Sequence, residues 1–427
     1  MKAAPPRATK RPLATIRVGL WGRLGSGNYG NDGTFEALVG FLQGHVPQAG
    51  LDCLCTGPEV VAARYGMPAA DLHWDHGGHP GGRGPAGLPR RVLRIALGAL
   101  VDGSRTVRWV SHHSMVIVPG TGILEGSLPV RPWQGPWVLF CLSLAGRLHR
   151  VPVVLLSVGA SPIRGRLSRW LTVAATRMAT HRTYRDEYSR DVMQQMGAGA
   201  AAADRVFPDM AFALPLPPAL PDTGDTTVGV GVMAWYGANS DRRSREALHE
   251  RYVSVIREFL TWLLTSGYQI RLFTGDDEDN AVAERLRADV LGQLPDADTR
   301  RIAFEPVSSL TDLMAQVSGV RIMVGARYHN VVCGLRCAVP TIATAYSDKH
   351  RVLMESFEQG AFCLDIRTLD AAALRDAFRE LDQQRARSRA QLRRAATSAS
   401  QDVFCQFQEL AATLRVADGD GRPPDVP

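Results

Sequence analysis

Long apolar runs are missing from this sequence. The best candidates, Val138 to Ala145 and Val151 to Val158, fall far short of the roughly 20 residues that span a bilayer, so both read as buried elements. The first dozen residues carry Lys2, Arg7, Lys10 and Arg11 among three prolines, with no apolar stretch behind them, and are not expected to form a secretory leader. Cysteine pairing is absent as well. The seven cysteines are odd in number, and neither Cys53 with Cys55 nor Cys333 with Cys337 has a second pair at zinc-site spacing. They read as reduced, mostly buried thiols in a cytoplasmic protein, with no metal and no bound cofactor expected. No basic stripe interleaved with aromatics stands out in the folded part, and the four tail cations account for more than half of the formal charge of +7. Nucleic-acid binding is therefore not expected.

What is present is an α/β pattern. At 427 residues the chain exceeds what one core usually covers. Ile16 to Trp21 reads as a strand, the glycine-rich segment Gly22 to Gly33 (GRLGSGNYGNDG) as a turn, and Thr34 to Leu42 as a helix. Ser114 to Pro119 and Val151 to Gly159 are continuous apolar runs of strand length, as parallel strands covered on both faces require. His76 to Arg91, rich in Gly, Pro, His and Arg, reads as an insertion or lid. Leu214 to Pro221 (LPLPPALP) is the strongest linker signal, and beyond it a second strand and helix series starts at Val228.

The division that follows is a basic tail over 1–14, a first Rossmann-like domain over 15–214, a linker over 215–227 and a second Rossmann-like domain over 228–368. Helices over 369–416, rich in Ala, Arg, Gln and Leu, would brace the two halves, and 417–427 would be a disordered tail.

Open α/β sheets place ligands at the carboxyl ends of their strands, and the candidate residues gather there. Asn28 and Asp32 lie after the first strand, where they either face a cleft or close a turn. Glu125, in PGTGILEGS, is a candidate base or hydroxyl ligand or simply a charge at a helix start. Arg185 and Asp186, in YRDEYS, form a cleft pair or a surface salt bridge with a helix cap. The densest signal is Val324 to Lys349. One strand runs into Arg327 and His329 and the next into Tyr346 and Lys349, each just before a helix whose N-terminal dipole adds positive field. Two cations and a histidine so placed predict an anion site.

Taken in order, the loop holding Asn28, Gly30 and Asp32, then PGTGILEG, SVGASP, YRDEYS, PDMAF, GARYHN and AYSDK, resemble the polysaccharide pyruvyl transferase family over roughly Ile16 to Phe362. The resemblance implies a fold like that of two-domain B-type glycosyltransferases (GT-B), with two Rossmann-like domains facing across a cleft. It also implies transfer of pyruvate from phosphoenolpyruvate onto two hydroxyls of one sugar, giving a cyclic ketal and phosphate. The donor would lie on Arg327, His329, Lys349 and Tyr346, with His329 protonating the methylene carbon. Glu125, Asp32 or Asp186 would serve as base, and Asn28, Arg185 and Asp186 would line the acceptor side. Most of the family has Leu where this chain has Tyr328. The partners implied are phosphoenolpyruvate and a glycan or glycolipid acceptor, and the tail and the His76 to Arg91 loop add an expectation of peripheral contact with the inner face of a membrane. Two rival readings stay open: a nucleotide-sugar glycosyltransferase of GT-B type, with Glu355 or Glu358 holding the ribose, and a non-catalytic glycan-binding protein.

Overall fold

The computed structural model describes residues 16–74, 88–126, 131–199, 204–218, 226–237, 241, 243–294 and 298–420. The expected basic tail, the His76 to Arg91 insertion up to residue 87, the middle of the linker and the last seven residues lie outside them.

Two wholly parallel sheets form the core. The first contains β1 (Ile16–Gly22), β2 (Ala49–Cys55), β3 (Ala69–Asp71), β4 (Met115–Pro119), β5 (Val153–Val158), β6 (His181–Tyr184) and β7 (Arg205–Val206), in the order β3-β2-β1-β4-β5-β6-β7. The second contains β8 (Thr227–Gly231), β9 (Gln269–Phe273), β10 (Ile302–Phe304), β11 (Ile322–Gly325), β12 (Thr341–Ala345) and β13 (Cys363–Asp365), in the order β10-β9-β8-β11-β12-β13. Each order reverses direction after its first strand, and the ligand crevice of such sheets opens at that reversal. The central strands are apolar throughout because helices cover both faces: every residue of β4, β5 and β8 is buried.

One hydrophobic cluster joins the inner face of the first sheet, through Val18, Leu20 and Ile117, to the whole second domain. A second, built on Trp21, Val116, Val118 and Leu155, lies under the outer helices of the first domain. The final helices run Ala371–Gln383 and Arg385–Asp420, the last extending four residues past its expected end. The long one does brace both halves. It reaches Val320 O through Arg389 and Glu358 through Gln391 on one side, and Thr183 and Ser157 through Gln406 and His45 O through Arg415 on the other.

Two expectations need correction. The first helix starts at Tyr29 rather than Thr34, because Asn28 caps it by accepting from Asn31 N. Gly30, taken for loop, is therefore helical; a Cβ there would lie 1.9 Å from His329 Nδ1, so its missing side chain is what lets the second domain approach. The helix Leu88–Val110 falls partly in the stretch expected to be an insertion and was not anticipated, its arginines and glycines having masked its periodicity.

Candidate active site

The carboxyl ends of both sheets open onto one interdomain cleft of about 430 Å³, within the range of about 300–1,000 Å³ usual for small-molecule sites. The first domain lines it through Arg23, Asn28, Thr121, Glu125 and Arg185, and the second through Trp235, Arg245, Glu278, Arg327 to His329, Tyr346, Lys349 and Arg367. Six arginine or lysine side chains thus face two glutamates, so the cleft is electropositive.

Arg327 follows β11 and His329 sits in the first turn of the helix Tyr328–Arg336; Tyr346 follows β12 and Lys349 sits in the first turn of the helix Asp348–Ser356. All four line the cleft, but none of the three basic groups is a bare charge. Arg327 donates from Nε and Nη2 to Asp279, at 2.8 and 2.7 Å, and its Nη1 has no partner among the described residues. Asp279 is fully buried and also accepts from Ala234 N at 2.8 Å, which fixes the plane of the guanidinium. Burial works against the charge of Arg327, yet Asp279 outweighs it and holds the group more firmly protonated than usual.

The other two basic groups meet carboxylates of the opposite domain. Lys349 Nζ lies 3.1 and 3.3 Å from the oxygens of Glu125, with Tyr328 and Tyr346 rings each 5.4 Å away. Glu125 also accepts from Arg185 at 2.5 Å. Burial alone would raise the Glu125 carboxyl, but Lys349 and Arg185 outweigh it and bring it down to about 2. His329 Nε2 stands 3.5 Å from Asp209 Oδ2, long for a hydrogen bond, and neither atom makes a hydrogen bond among the described residues. Arg185, itself buried, lies 3.7 Å from Asp209 and 3.5 Å from Asp186, with its guanidinium 4.4 Å over the ring of Tyr328. Lys349, Glu125, Arg185, Asp209 and His329 thus form a chain of alternating basic and acidic groups that crosses the domain boundary.

The three base candidates are placed unlike one another. Glu125 is in the cleft but, between two cations, is too weak a base for proton abstraction near neutral pH. Asp32 is absent from the cleft lining: from the first helical turn its Oδ1 turns back to accept from Gly25 N at 2.7 Å and closes the glycine turn, while burial raises its carboxyl to about 6. Asp186 caps the helix Glu187–Met193 through Ser189 N and lines a separate cavity behind the wall of Arg185 and Tyr328. Asn28 does line the cleft, where it also donates to Asp276 across the boundary at 3.1 Å. Sequence reasoning missed Asp279, for which no motif speaks, and left Asp209 without a partner, although PDMAF had placed a carboxylate at the end of its domain. Arg23, Arg245 and Arg367 at the cleft mouth carried no signal at all.

A family model for polysaccharide pyruvyl transferase matches residues 28–348. The chain belongs to the polysaccharide pyruvyl transferase family. That span runs from Asn28 on the first domain to Arg327, His329 and Tyr346 on the second, ending one residue before Lys349, and the family is one of transferases acting in polysaccharide pyruvylation. No curated protein matches the sequence. Among solved structures, a Listeria monocytogenes protein described as a UDP-N-acetylglucosamine 2-epimerase is similar over 96% of this chain and 99% of its own, at 15% identity and a TM-score of 0.62. The UDP-N-acetylglucosamine 2-epimerase of Rickettsia bellii matches over 95% and 98%, at 9% identity and a TM-score of 0.57. The lipopolysaccharide outer core galactosyltransferase WaaB matches over 93% and 99%, at 11% identity and a TM-score of 0.51. These likenesses give the fold: the chain is a two-domain α/β protein of the GT-B kind.

Proposed function

We propose that the cleft binds phosphoenolpyruvate and transfers its three-carbon unit to two hydroxyls of one sugar, forming a cyclic ketal and releasing phosphate. The observation that carries this reading is the pairing pattern of the basic groups. Arg327 is held in one plane by a buried acid with Nη1 spare, Lys349 sits against two aromatic rings, and both helices begin just after the carboxyl ends of adjacent parallel strands. A small molecule with one carboxylate and one phosphate needs two such anion subsites on adjacent strand ends.

In this scheme His329, with Nε2 facing Asp209, gives a proton to the methylene carbon, which becomes the methyl group. The first sugar hydroxyl adds to the central carbon and its proton returns to the imidazole. The carbon–oxygen bond to phosphate then breaks, the second hydroxyl closes the ring, and its proton leaves with the phosphate. The two hydroxyl protons thus account for the methyl hydrogen and for hydrogen phosphate, and one imidazole can serve in turn as acid and base. Neither Glu125, Asp32 nor Asp186 is required as a base. Glu125 and Arg185 instead hold Lys349 and the Tyr328 ring in place.

The nucleotide-sugar alternative loses support from the position of its expected ribose ligands. Glu355 pairs with Arg351 and lines the other cavity, and Glu358 accepts from Gln391. Neither lines the cleft.

The test is phosphate release from phosphoenolpyruvate in the presence of glycan acceptors, with the product examined by mass for a carboxyethylidene group. His329→Asn should cut turnover by roughly 10²–10⁴ with far-UV circular dichroism unchanged; near-normal turnover would end the proposal. Arg327→Lys is the informative donor variant, because Arg327→Ala would orphan the buried Asp279 and confound binding with folding. It should raise the phosphoenolpyruvate KM more than it lowers kcat.

A further inference from the structure

Among the described residues, the outer face of the first domain presents several exposed apolar side chains. From residue 92 to residue 100 the helix Leu88–Val110 buries no side chain, yet it carries Val92, Leu93, Leu97 and Leu100 at 59, 60, 47 and 65% exposure. Leu93, Leu97 and Leu100 are spaced four and three residues apart and so form one stripe. The helices Gly135–His149 and Arg166–Met178 extend the same surface. Trp137 donates to Ala99 O at 2.7 Å, Phe140 lies 6.0 Å from Trp137, and Trp170, 59% exposed, lies 5.6 Å from Phe140. Leu167 and Trp133 are exposed beside them.

The charge around this face is one-sided. Between residues 88 and 180 there are twelve arginines, no lysine and two acids, a formal +10 within a chain of +7. Both acids are engaged elsewhere, Asp102 with His73 and Trp74 N and Glu125 in the cleft. These arginines are dispersed along the helices and loops of this segment rather than gathered in one run of sequence. Exposed Arg164, Arg166 and Arg169 flank Leu167 and Trp170 directly.

We propose that this face, built on Leu93, Leu97, Leu100, Leu167 and Trp170, docks onto an anionic lipid bilayer. Apolar side chains and tryptophans enter the headgroup boundary while arginines meet lipid phosphates, and interfacial segments bind in this manner. A second copy of the chain is a poorer occupant, because a two-fold contact would set arginines against arginines. A nucleic acid would leave the leucine stripe without a partner. Position adds a reason: the helices Gly135–His149 and Arg166–Met178 begin after the carboxyl ends of β4 and β5, so the patch lies at the same end of the sheet as the cleft. A docked enzyme would hold its cleft beside the membrane, within reach of an acceptor carried on lipid.

The test uses the full chain, without substrates, so that its outcome is independent of the reading of the cleft. Flotation with phosphatidylcholine vesicles containing phosphatidylglycerol should carry the protein up, and phosphatidylcholine alone should carry much less. Leu97→Ser with Trp170→Ser should weaken the partition about tenfold or more, because both substitutions remove apolar surface that would leave water on docking. Acyl chains brominated near the headgroup should quench tryptophan fluorescence in the wild type and less in the variant, with melting temperatures equal. Arg166→Gln with Arg169→Gln should weaken binding to the anionic vesicles only. The proposal is overturned if the wild type does not float. It fails equally if the Leu97 and Trp170 variant floats as well as the wild type, which would assign binding to charge elsewhere. A wild-type dimer that this variant dissolves, with no vesicle affinity, would assign the face to a second copy.

Discussion

Glu125 offers the sharpest test, because two roles for it predict opposite results. A carboxyl lowered from 4.5 to about 2 contributes about 3 kcal/mol to folding at neutral pH, at roughly 1.4 kcal/mol per tenfold change in proton affinity. The folded value is the depressed one, so the contribution is complete above the unfolded carboxyl's range near pH 4.5 and disappears as pH falls toward 2. Glu125→Gln lacks it at every pH and leaves Lys349 without a counter-charge, while Arg185 keeps Asp186 and Asp209 at 3.5 and 3.7 Å. Calorimetric melts should show the variant about 6–12 °C below the wild type at pH 7 for an unfolding unit of domain size, with the gap closing as pH falls from about 4.5 toward 2. Turnover should fall by less than the roughly 10²–10⁴ that loss of a general base costs. A variant that melts with the wild type at pH 7 yet has lost turnover by that factor would show that Glu125 takes a proton from the acceptor, and the counter-charge reasoning would be refuted.

Three further substitutions probe the geometry around it. Gly30→Ala places a methyl group on the His329 ring; turnover should drop by roughly 10²-fold, the cost of a misplacement near 1 Å, with the melting temperature far less affected, as a phosphate-release assay beside a thermal melt will show. Gly159→Ala would put a Cβ 2.4 Å from Arg185 Cζ, and the resulting overpacking should lower stability by about 1–3 kcal/mol, measured as a fall in melting temperature. Tyr328→Phe keeps the ring under Arg185 and should behave as wild type, whereas Tyr328→Leu should lose about 1–2 kcal/mol of cation–π attraction, visible in the same melts.

The alternating strands and helices, both sheets and the two strand-end clusters were legible because parallel strands covered on both faces write continuous apolar runs, and helices following them write glycine and polar starts. Ser114 to Pro119 and Gln269 to Phe273 matched their strands to within a residue. The short edge strands β3, β7 and β13 escaped, since two or three residues carry no period. What stayed hidden in the site is of another kind. Arg327 and Asp279 are 48 residues apart in sequence, and Lys349 and Glu125 are 224 apart. Residue type at the end of a strand announces a charge, but only the assembled domains determine which charge it meets.

Those distant pairings bear on how the site comes into being. The first domain supplies Glu125, Asp209 and Arg185, and the second supplies Lys349, His329 and the Tyr328 ring. Either half alone would expose unmatched charges: two carboxylates held around one guanidinium on one side, an ammonium and an imidazole at two helix N-termini on the other. Contact between the domains therefore completes the electrostatics of the site as well as its walls, and the apolar cluster running through both domains, with the helix Arg385–Asp420 bonded to each, supplies the free energy that keeps those charges together. Weakening the hold of that helix on the first domain, for instance by Gln406→Ala, which removes its bonds to Ser157 and Thr183 and leaves the Arg415 bond to His45 O, should loosen the domain contact. Because the pairs span the boundary, it should disturb the Lys349–Glu125 and His329–Asp209 pairs of the cleft as well.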